Sequence, residues 1–193
     1  MPTKKRMDRM LEVLSKRQND IVVVLENVHD PHNVSAVLRT CDAIGILDIY
    51  LVYHSGQKFP QLNNKSSGRV RKWMMVHKFT SVTECFAELK SKGFSILSTY
   101  VGDGTKSVYN VDYTQKVAFV FGNEHEGVTN EVLDSSDIKI VIPQVGFAES
   151  LNISVACSIC LYEAFRQKNI AGHYDIPKLD SSEQKMILES WSS

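Results

Sequence analysis

The sequence predicts an α/β fold in which a mostly parallel sheet carries helices on both faces. Short runs rich in Val and Ile alternate along the chain with segments of helical hydrophobic spacing. Continuously apolar strands are typical of parallel sheets, because helices cover both faces of such a sheet. A chain of 193 residues with 43% hydrophobic content is also long enough to bury a core without disulfides or a structural metal.

Five strands are predicted from runs that are rich in β-branched residues. They span Ile21–Val28, Asp48–Tyr53, Ser95–Val101, Lys116–Gly122 and Ile138–Ile142. Helical patterns cover about Val34–Ala43, Val82–Lys90, Thr129–Ser135 and Ile153–Lys168, with terminal helices near Lys4–Arg17 and Ser181–Trp191. No repeat or linker divides the chain, so we expect one domain over residues 1–193, with a basic N-terminal helix (about 4–17) and a helical C-terminal tail (about 175–193).

Composition limits the classes of protein that the chain can belong to. The 22 basic and 22 acidic residues balance, so the surface as a whole does not attract nucleic acid. No run approaches 18 apolar residues, and the N-terminus lacks an apolar signal segment, so we expect a cytoplasmic protein without a membrane partner. The four cysteines are spread along the chain, which favours reduced, partly buried thiols over a disulfide framework.

Basic residues nevertheless cluster in two stretches. The segment 58–78 has no acidic residue and contains Phe59 and Trp73 between its basic residues Lys58, Lys65, Arg69, Arg71, Lys72 and Lys78. The N-terminal segment adds Lys4, Lys5, Arg6, Arg9, Lys16 and Arg17. Each stretch is either a phosphate-binding surface or an ordinary solvated face, and composition alone leaves both interpretations open.

Polar side chains follow three of the predicted strands, where ligands of open parallel sheets bind. After the first strand come Asn27, His29, His32, Asn33 and Arg39, with Asn33 placed to cap the following helix. Gly122-Asn123-Glu124-His125-Glu126-Gly127 follows the fourth strand, and Ser150-Leu151-Asn152 precedes the helix that comes after the fifth. Each stretch alone could be a turn or a helix cap, but three in one domain predict a ligand site.

These stretches resemble the three motifs of the SpoU/TrmH family of RNA ribose 2′-O-methyltransferases, part of the SPOUT superfamily. The matching residues are Asn33-(x2)-Ala36-(x2)-Arg39-Thr40, Phe121-Gly122-(x)-Glu124-(x2)-Gly127, and Ile142-Pro143 followed by Ser150-Leu151-Asn152-(x)-Ser154-Val155-Ala156. The motifs occur in the family's order and spacing, and the similarity extends to about Tyr174. The resemblance implies a deep trefoil knot, which is rare among proteins, and a homodimer whose interface completes the active site.

The resemblance also implies a cofactor and roles for individual residues. S-adenosylmethionine would donate the methyl group, held mainly by backbone at Thr99, Gly122, Ile142 and Leu151. Arg39 would be the catalytic residue, with Asn33, Glu124, Ser150 and Asn152 positioning it, the RNA or the cofactor. Because guanidinium groups rarely lose a proton, we favour phosphate and alkoxide binding by Arg39 over a role as general base. No metal is implied.

The implied substrate is tRNA. A basic N-terminal helix and a helical tail resemble the members that methylate guanosine 18 in the D-loop. Another tRNA or rRNA nucleotide, or noncatalytic RNA binding by the same fold, are the alternatives. The basic residues Arg9, Arg17, Lys72 and Arg166 are candidate phosphate contacts.

Other kinds of site are weaker interpretations of the same sequence. No Gly-x-Gly-x-x-Gly follows the first strand, and the Lys of Gly102-Asp103-Gly104-Thr105-Lys106-Ser107 lacks the preceding Gly of a phosphate-binding loop. Cys157 and Cys160 lie at i, i+3 in an apolar helix without a second pair, which indicates core packing rather than zinc or redox chemistry. For His29 and His32 we expect RNA or dimer contacts rather than metal.

Overall fold

The computed structural model describes residues 2–54, 56–60 and 70–192. Its strands are β1 (Ile21–Glu26), β2 (Asp48–Val52), β3 (Met75–Phe79), β4 (Ser95–Thr99), β5 (Lys106–Ser107), β6 (Val117–Phe121) and β7 (Ile138–Val141). Its α-helices are α1 (Lys4–Leu14), α2 (Pro31–Ala43), α3 (Val82–Ser91), α4 (Asn130–Ser135), α5 (Ile153–Ile170) and α6 (Ser181–Ser192).

The strands form one seven-stranded sheet in the order β3-β2-β1-β6-β4-β7-β5. Every pairing between these strands is parallel. The carboxyl ends of β1, β6, β4 and β7 therefore meet at one edge of the sheet, which is where the polar motif residues follow the strands. The predicted parallel α/β architecture is confirmed.

Side chains of the central strand β1 point alternately into two cores. Val23 and Leu25 join the core that contains α2 and α5, whereas Val22 and Val24 join the core that contains α3 and α4. All six residues of β1 are buried. Helices thus cover both faces of the sheet, which explains why β1 is apolar at nearly every position.

Two strands were not predicted, and the predicted strands were one or two residues too long. β3 lies at one edge of the sheet within the basic stretch, and its five side chains are exposed or only half-buried. An edge strand of mixed polarity lacks the apolar run that marks a buried strand. β5 has two residues, Lys106 and Ser107, and among the described strands it pairs with β7 alone. Such a short element leaves no periodic pattern in the sequence.

The terminal helices α1 and α6 pack together over a third, smaller core. Met10 and Leu14 of α1 contact Ile187 and Trp191 of α6, and Leu47 completes the cluster. The first helix ends at Leu14, three residues before the predicted end at Arg17. The tail predicted after residue 174 therefore forms a helix that packs against the N-terminal helix.

Arg17 is buried beneath this pair of helices, which conflicts with the prediction that it contacts RNA. Its side chain has no exposed surface. The guanidinium donates hydrogen bonds to the Ile46 carbonyl and the Asp42 carboxylate, and it lies 5.4 Å from the ring centroid of Trp191. These contacts join the end of α1 to α2 and α6. Only these tertiary contacts distinguish Arg17 from the other basic residues of the N-terminal segment.

Candidate active site at the carboxyl edge of the sheet

A cavity of about 480 Å³ lies beyond the carboxyl ends of β4, β6 and β7. The four residues predicted to hold a cofactor, Thr99, Gly122, Ile142 and Leu151, all line it. Apolar side chains of Val101, Phe121, Ile140 and Ile153 and polar groups of Glu124, Gln144, Glu149 and Ser150 complete much of the wall. The volume and the mixed lining suit a small organic ligand with a few polar groups.

Gly122 is the residue at which the cavity wall turns away from β6. Asn123 and Gly127 exchange two backbone hydrogen bonds of 2.9 Å, which fold residues 123–127 into a tight turn. This turn passes so close that a Cβ at Gly122 would lie 2.1 Å from the carbonyl carbon of Gly127. Gly127 itself has φ +70°, a conformation that favours glycine. Both glycines are therefore required by the backbone of the turn.

A chain of side-chain hydrogen bonds connects α2, the 123–127 turn and α5. The Nδ2 of Asn33 donates to Oε1 of Glu124 at 2.8 Å, and the Nδ2 of Asn152 donates to Oδ1 of Asn33 at 3.1 Å. Oδ1 of Asn152 in turn accepts from the backbone N–H of Ser154 at 2.9 Å. One residue from each of the three motifs thus belongs to a single network.

The two ends of this chain determine the orientation of both amides. A carboxylate such as that of Glu124 only accepts hydrogen bonds, and the backbone N–H of Ser154 only donates. Asn33 must therefore turn its NH₂ group toward Glu124, and Asn152 must turn its NH₂ group toward Asn33. Neither amide can flip without placing two donors or two acceptors together. The network is rigid and directional.

The helix caps near the site differ partly from expectation. Asn152 caps α5, which agrees with the interpretation of the Ser150-Leu151-Asn152 stretch as a helix cap. The cap of α2 is Asp30, which accepts from the N–H of His32, and Pro31 occupies the first helical position. Asn33, which was predicted to cap α2, instead lies in its first turn, so its amide is available to Glu124. The prediction was wrong because Asp30 and Pro31 begin the helix earlier.

A buried carboxylate, Glu26, holds the 123–129 segment against the end of β1 and was missed by the sequence analysis. It is 1% exposed. Its two oxygens accept from the N–H and hydroxyl of Thr129 at 2.9 and 2.6 Å, and it contacts Nε2 of His54 at 3.0 Å. A Glu directly after the five apolar residues of a buried strand was the signal, because buried carboxylates require partners.

Ser150 and Arg39 have different positions relative to the cavity. Ser150 lines it and is exposed. Arg39 lies on the exposed side of α2 and is not among the described residues that line the cavity. Thr40, the next residue, places its hydroxyl 3.1 Å from that of Ser158, which joins α2 to α5. Within one chain, the structure thus brings together every predicted catalytic residue except Arg39 around the cavity or its network.

The candidate RNA contacts other than Arg17 lie at the surface. Arg9 forms an exposed ion pair with Glu12, and Arg166 forms a bidentate pair with Glu163. Lys72 lies over the ring of Trp73. Lys65 and Arg69 of the predicted basic stretch lie outside the described residues.

The cysteine side chains lie in the core of the protein. All four cysteines are reduced and buried. Burial raises the pKa of Cys160 to about 12 and that of Cys157 well above its usual value, so Cys157-x-x-Cys160 is core packing, as predicted.

Among the residues with described structure, no cluster of three or more His, Cys, Asp or Glu could hold a metal ion. No helix in this part of the chain is long and apolar enough to span a membrane.

Comparison with known proteins places these features in a family context. Residues 20–162 match the SpoU rRNA Methylase family. The chain is 42% identical over 188 residues to the tRNA (guanosine(18)-2′-O)-methyltransferase of Aquifex aeolicus, covering 97% of this chain and 89% of that protein. The crystal structure of the A. aeolicus TrmH/SpoU tRNA modifying enzyme superposes with a TM-score of 0.92 at 41% identity, covering 98% of this chain and 95% of that one.

A more distant solved structure is of interest because of its ligand. The AdoMet-bound rRNA methyltransferase from Sinorhizobium meliloti has a TM-score of 0.64 and 26% identity to this chain. The match covers 81% of this chain and 59% of that protein. Its similarity to this chain is therefore confined to part of a longer molecule.

Proposed function

Since the chain belongs to the SpoU methylase family, we propose that it transfers a methyl group from S-adenosylmethionine to the ribose 2′-hydroxyl of guanosine 18 in tRNA. The observation that carries this proposal is the convergence of the three motifs on one cavity. Thr99, Gly122, Ile142 and Leu151 line it, and the Asn33–Glu124–Asn152 network lies at its side. The near full-length identity to a guanosine-18 methyltransferase supports the choice of nucleotide.

The cavity fits the proposed cofactor. Its volume of about 480 Å³ is within the range for ligands of this size. Phe121, Ile140 and Leu151 offer apolar surface for an adenine ring, and the backbone at Thr99, Gly122 and Ile142 offers hydrogen-bonding groups. When bound there, S-adenosylmethionine supplies an activated methyl group. The protein must still orient the hydroxyl and stabilise the alkoxide that forms as the proton of the hydroxyl passes to solvent water.

We assign orientation to the rigid amide network and to Ser150. A ribose hydroxyl is a weak nucleophile and must be held in line with the methyl group. Asn33 and Asn152 cannot rotate freely, and Glu124 keeps its carboxylate fixed by the bond to Asn33. These groups offer preset donors and acceptors beside the cavity. Their fixed geometry lowers the cost of ordering the substrate in the transition state.

We assign phosphate binding and alkoxide stabilisation to Arg39. A guanidinium donates several hydrogen bonds and retains its charge, which suits an anion better than it suits proton abstraction. Arg39→Lys should keep part of the rate, whereas Arg39→Ala should lose most of it. The pH dependence of kcat in wild type and Arg39→Lys distinguishes the roles, because a base would introduce a new ionisation. An unchanged rate in Arg39→Ala would exclude both.

A homodimer would bring a partner's Arg39 to each cavity. Arg39 is exposed on α2 and absent from the described lining of its own chain's cavity. Val145 and Phe147, in the loop before α5, are completely exposed, and Val155 and Tyr162 are exposed seven residues apart on α5. Exposed apolar side chains on the loop before α5 and on α5 itself favour an interface between two copies. The segment that carries these residues contains the third motif. Within the single domain, it would be threaded through a loop to form the trefoil knot.

tRNA would bind over the surface that carries Arg9 and Lys72, with Arg166 on α5 as a further phosphate contact. The two basic stretches are brought near each other because Trp73 packs edge-on against Trp191, while α6 packs on α1. A surface assembled from both can contact phosphates of one folded RNA. A substrate of this kind is consistent with a cytoplasmic protein.

The deciding experiment is transfer of labelled methyl from S-adenosylmethionine to an unmodified tRNA transcript. The matched control is the same transcript already 2′-O-methylated at guanosine 18. We expect label only in the unmodified RNA. Label in both transcripts would show that the protein transfers methyl groups to a nucleotide other than guanosine 18. Label in neither transcript would favour another RNA substrate or noncatalytic RNA binding.

A further inference from the structure

A second cavity, of about 560 Å³, lies on the other side of the 123–128 turn from the first. Asn123, His125, Glu126, Gly127 and Val128 line both cavities. The remaining residues of the second cavity come from three short segments: Asn27, His29, Gln57, Thr129 and Asn130. Its lining is strongly polar, in contrast to the apolar walls of the cavity assigned to the cofactor.

The position of the second cavity relates it to the methyl acceptor. His29 precedes Asn33 by four residues, and Glu126 follows Glu124 by two, so both walls continue directly from the hydrogen-bonded Asn33–Glu124 pair. In a nucleotide the base is attached to C1′, the carbon next to the one that carries the 2′-hydroxyl. The base of the reacting nucleotide must therefore lie next to the acceptor, and the second cavity shares its 123–128 wall with the cavity assigned to the cofactor.

The floor of the cavity is already fixed by internal hydrogen bonds. Asn27 has φ +52°, and its Oδ1 accepts from the N–H of His54 at 3.3 Å. Asn123 donates from Nδ2 to the Asn27 carbonyl at 3.1 Å, and its Oδ1 accepts from the N–H of His125. The oxygen of the Asn27 side chain and both polar atoms of the Asn123 amide are thus engaged within the protein.

Other side chains of the lining remain available. Within the described part of the chain, the side chains of Gln57, His125 and Glu126 make no hydrogen bond to another residue, and those of His125 and Glu126 are exposed. Imidazole rings stack on nucleobases in single-stranded RNA recognition, and amides and carboxylates hydrogen-bond to base edges. The available groups thus match a nucleobase in both stacking and polarity.

Glu126 is the most informative of these groups. A carboxylate repels phosphate, so it would weaken RNA binding unless it accepts hydrogen bonds from a base. An ionised carboxylate is acceptor-only, with two oxygens. Guanine presents two adjacent donors, N1–H and the 2-amino group, on its Watson–Crick edge. Adenine and the pyrimidines do not present this pair.

We propose that this second cavity binds the guanine of the methylated nucleotide, with the Glu126 carboxylate accepting from N1–H and the 2-amino group and His125 stacking on the ring. This inference rests on the proposed function and identifies the residues that would select guanine over the other bases. Glu126 is thus a specificity-determining residue and takes no part in methyl transfer itself.

The test compares tRNA transcripts that carry guanosine or inosine at position 18, since inosine lacks only the 2-amino group. We expect wild type to prefer guanosine in kcat/KM by about tenfold, as for one lost base contact. In Glu126→Gln, kcat/KM for the guanosine transcript should fall, and the ratio of kcat/KM for the guanosine transcript to that for the inosine transcript should approach one. Asp134→Asn, which removes an exposed carboxylate from nearby α4, is the matched control and should keep the preference. Any effect of inosine on the RNA fold is common to all three proteins.

A measurement without methyl transfer separates this inference from the proposed function. In protein saturated with S-adenosylmethionine, so that the first cavity is filled, guanosine 5′-monophosphate should shift the NMR signal of the His125 ring in wild type but not in Glu126→Gln, and adenosine 5′-monophosphate should shift it less. Methylation with an unchanged guanosine preference in Glu126→Gln, or no ring shift with the guanosine nucleotide, would overturn the base site alone. A selective ring shift without any methylation of the transcript would retain the base site and refute the proposed function.

Discussion

The amide of Asn33 on α2 donates a 2.8 Å hydrogen bond to the carboxylate of Glu124, a residue 91 positions later in the chain. The bond crosses from the helix after β1 to the turn after β6, and β1 and β6 are neighbours in the sheet. Parallel pairing places both strand ends at the same edge. A local motif residue and a distant one therefore become one structural unit, and this unit supports the following predictions.

Asn152 has two functions that one substitution can separate. Asn152→Asp keeps an oxygen that caps α5 but removes the donor to Asn33. We expect its free energy of unfolding to stay within about 0.5 kcal/mol of wild type, while kcat falls by about tenfold or more, ~1.4 kcal/mol in barrier height. Chemical denaturation and single-turnover methyl transfer measure the two quantities. Asn152→Ala, the comparison variant, should lose about 1 kcal/mol of stability as well. Equal activity of Asn152→Asp and wild type would show that the donor is unimportant.

Gly122 should not tolerate any side chain. A Cβ there would lie 2.1 Å from backbone atoms of Gly127, which cannot rotate away as a side chain could. Gly122→Ala should therefore lose about 3 kcal/mol of stability and should bind S-adenosylmethionine weakly. Thermal unfolding and calorimetric titration of the cofactor test this. The control is Gly146→Ala, where nothing lies within 4 Å of the added Cβ; its stability should match wild type. Comparable stability of the two variants would contradict the close packing of the turn.

Replacing Arg17 should lower the stability of the protein, whereas replacing Arg9 should weaken the binding of tRNA. Arg17 is buried and joins three helices, so Arg17→Ala should cost about 3 kcal/mol in the free energy of unfolding. Arg9 is exposed, so Arg9→Ala should leave stability nearly unchanged and should weaken tRNA binding. If Arg9 contacts one phosphate, the slope of log affinity against log salt should become shallower by about 0.7–0.9. Urea denaturation and salt-dependent binding measure both effects. A stable Arg17→Ala with a shallower salt slope would restore Arg17 as an RNA contact.

The Glu163–Arg166 pair should contribute to the acid dependence of stability. The hydrogen bonds from Arg166 lower the pKa of Glu163 below its ordinary value of 4.5. The folded state therefore binds fewer protons than the unfolded state near that pH, so stability rises with pH there. This contribution is present above pH 4.5 and is lost as the pH falls through the lowered pKa. Melting temperatures of Glu163→Gln measured at acid pH should show a weaker loss than wild type. An identical acid profile for the two proteins would exclude the contribution.

Much of the site followed from sequence because its residues lie at fixed positions relative to local elements. Asn33, Gly122 and Asn152 each follow a strand or begin a helix, and strand ends of a parallel sheet converge whatever the details of packing. The motif spacing then identified the family and the cofactor. The strands of the sheet's centre were predictable for the same reason, since a strand buried on both faces must be continuously apolar.

The residues that sequence reasoning misplaced are those whose roles depend on distant partners. Arg17 resembles Arg9 in sequence, yet it is buried because α6, more than 150 residues later, packs its Trp191 against it. Glu26 is the last residue of β1, and its carboxylate is buried. Two hydrogen bonds from Thr129, 103 residues later, offset the cost of burying that charge. Strands β3 and β5 lack a pattern because each lies at an edge of the sheet that the described strands form.

The sequence by itself determined the fold class and the family, and it predicted the three segments that line the candidate site. Those properties are recorded in hydrophobic periodicity and in short motifs, both of which are local along the chain. Only the tertiary structure decided which amides bond to Glu124, which Arg is buried and how the second cavity forms beside the first. Such features depend on contacts between segments far apart in sequence, and the free energy of those contacts is set by burial and geometry that no local pattern encodes.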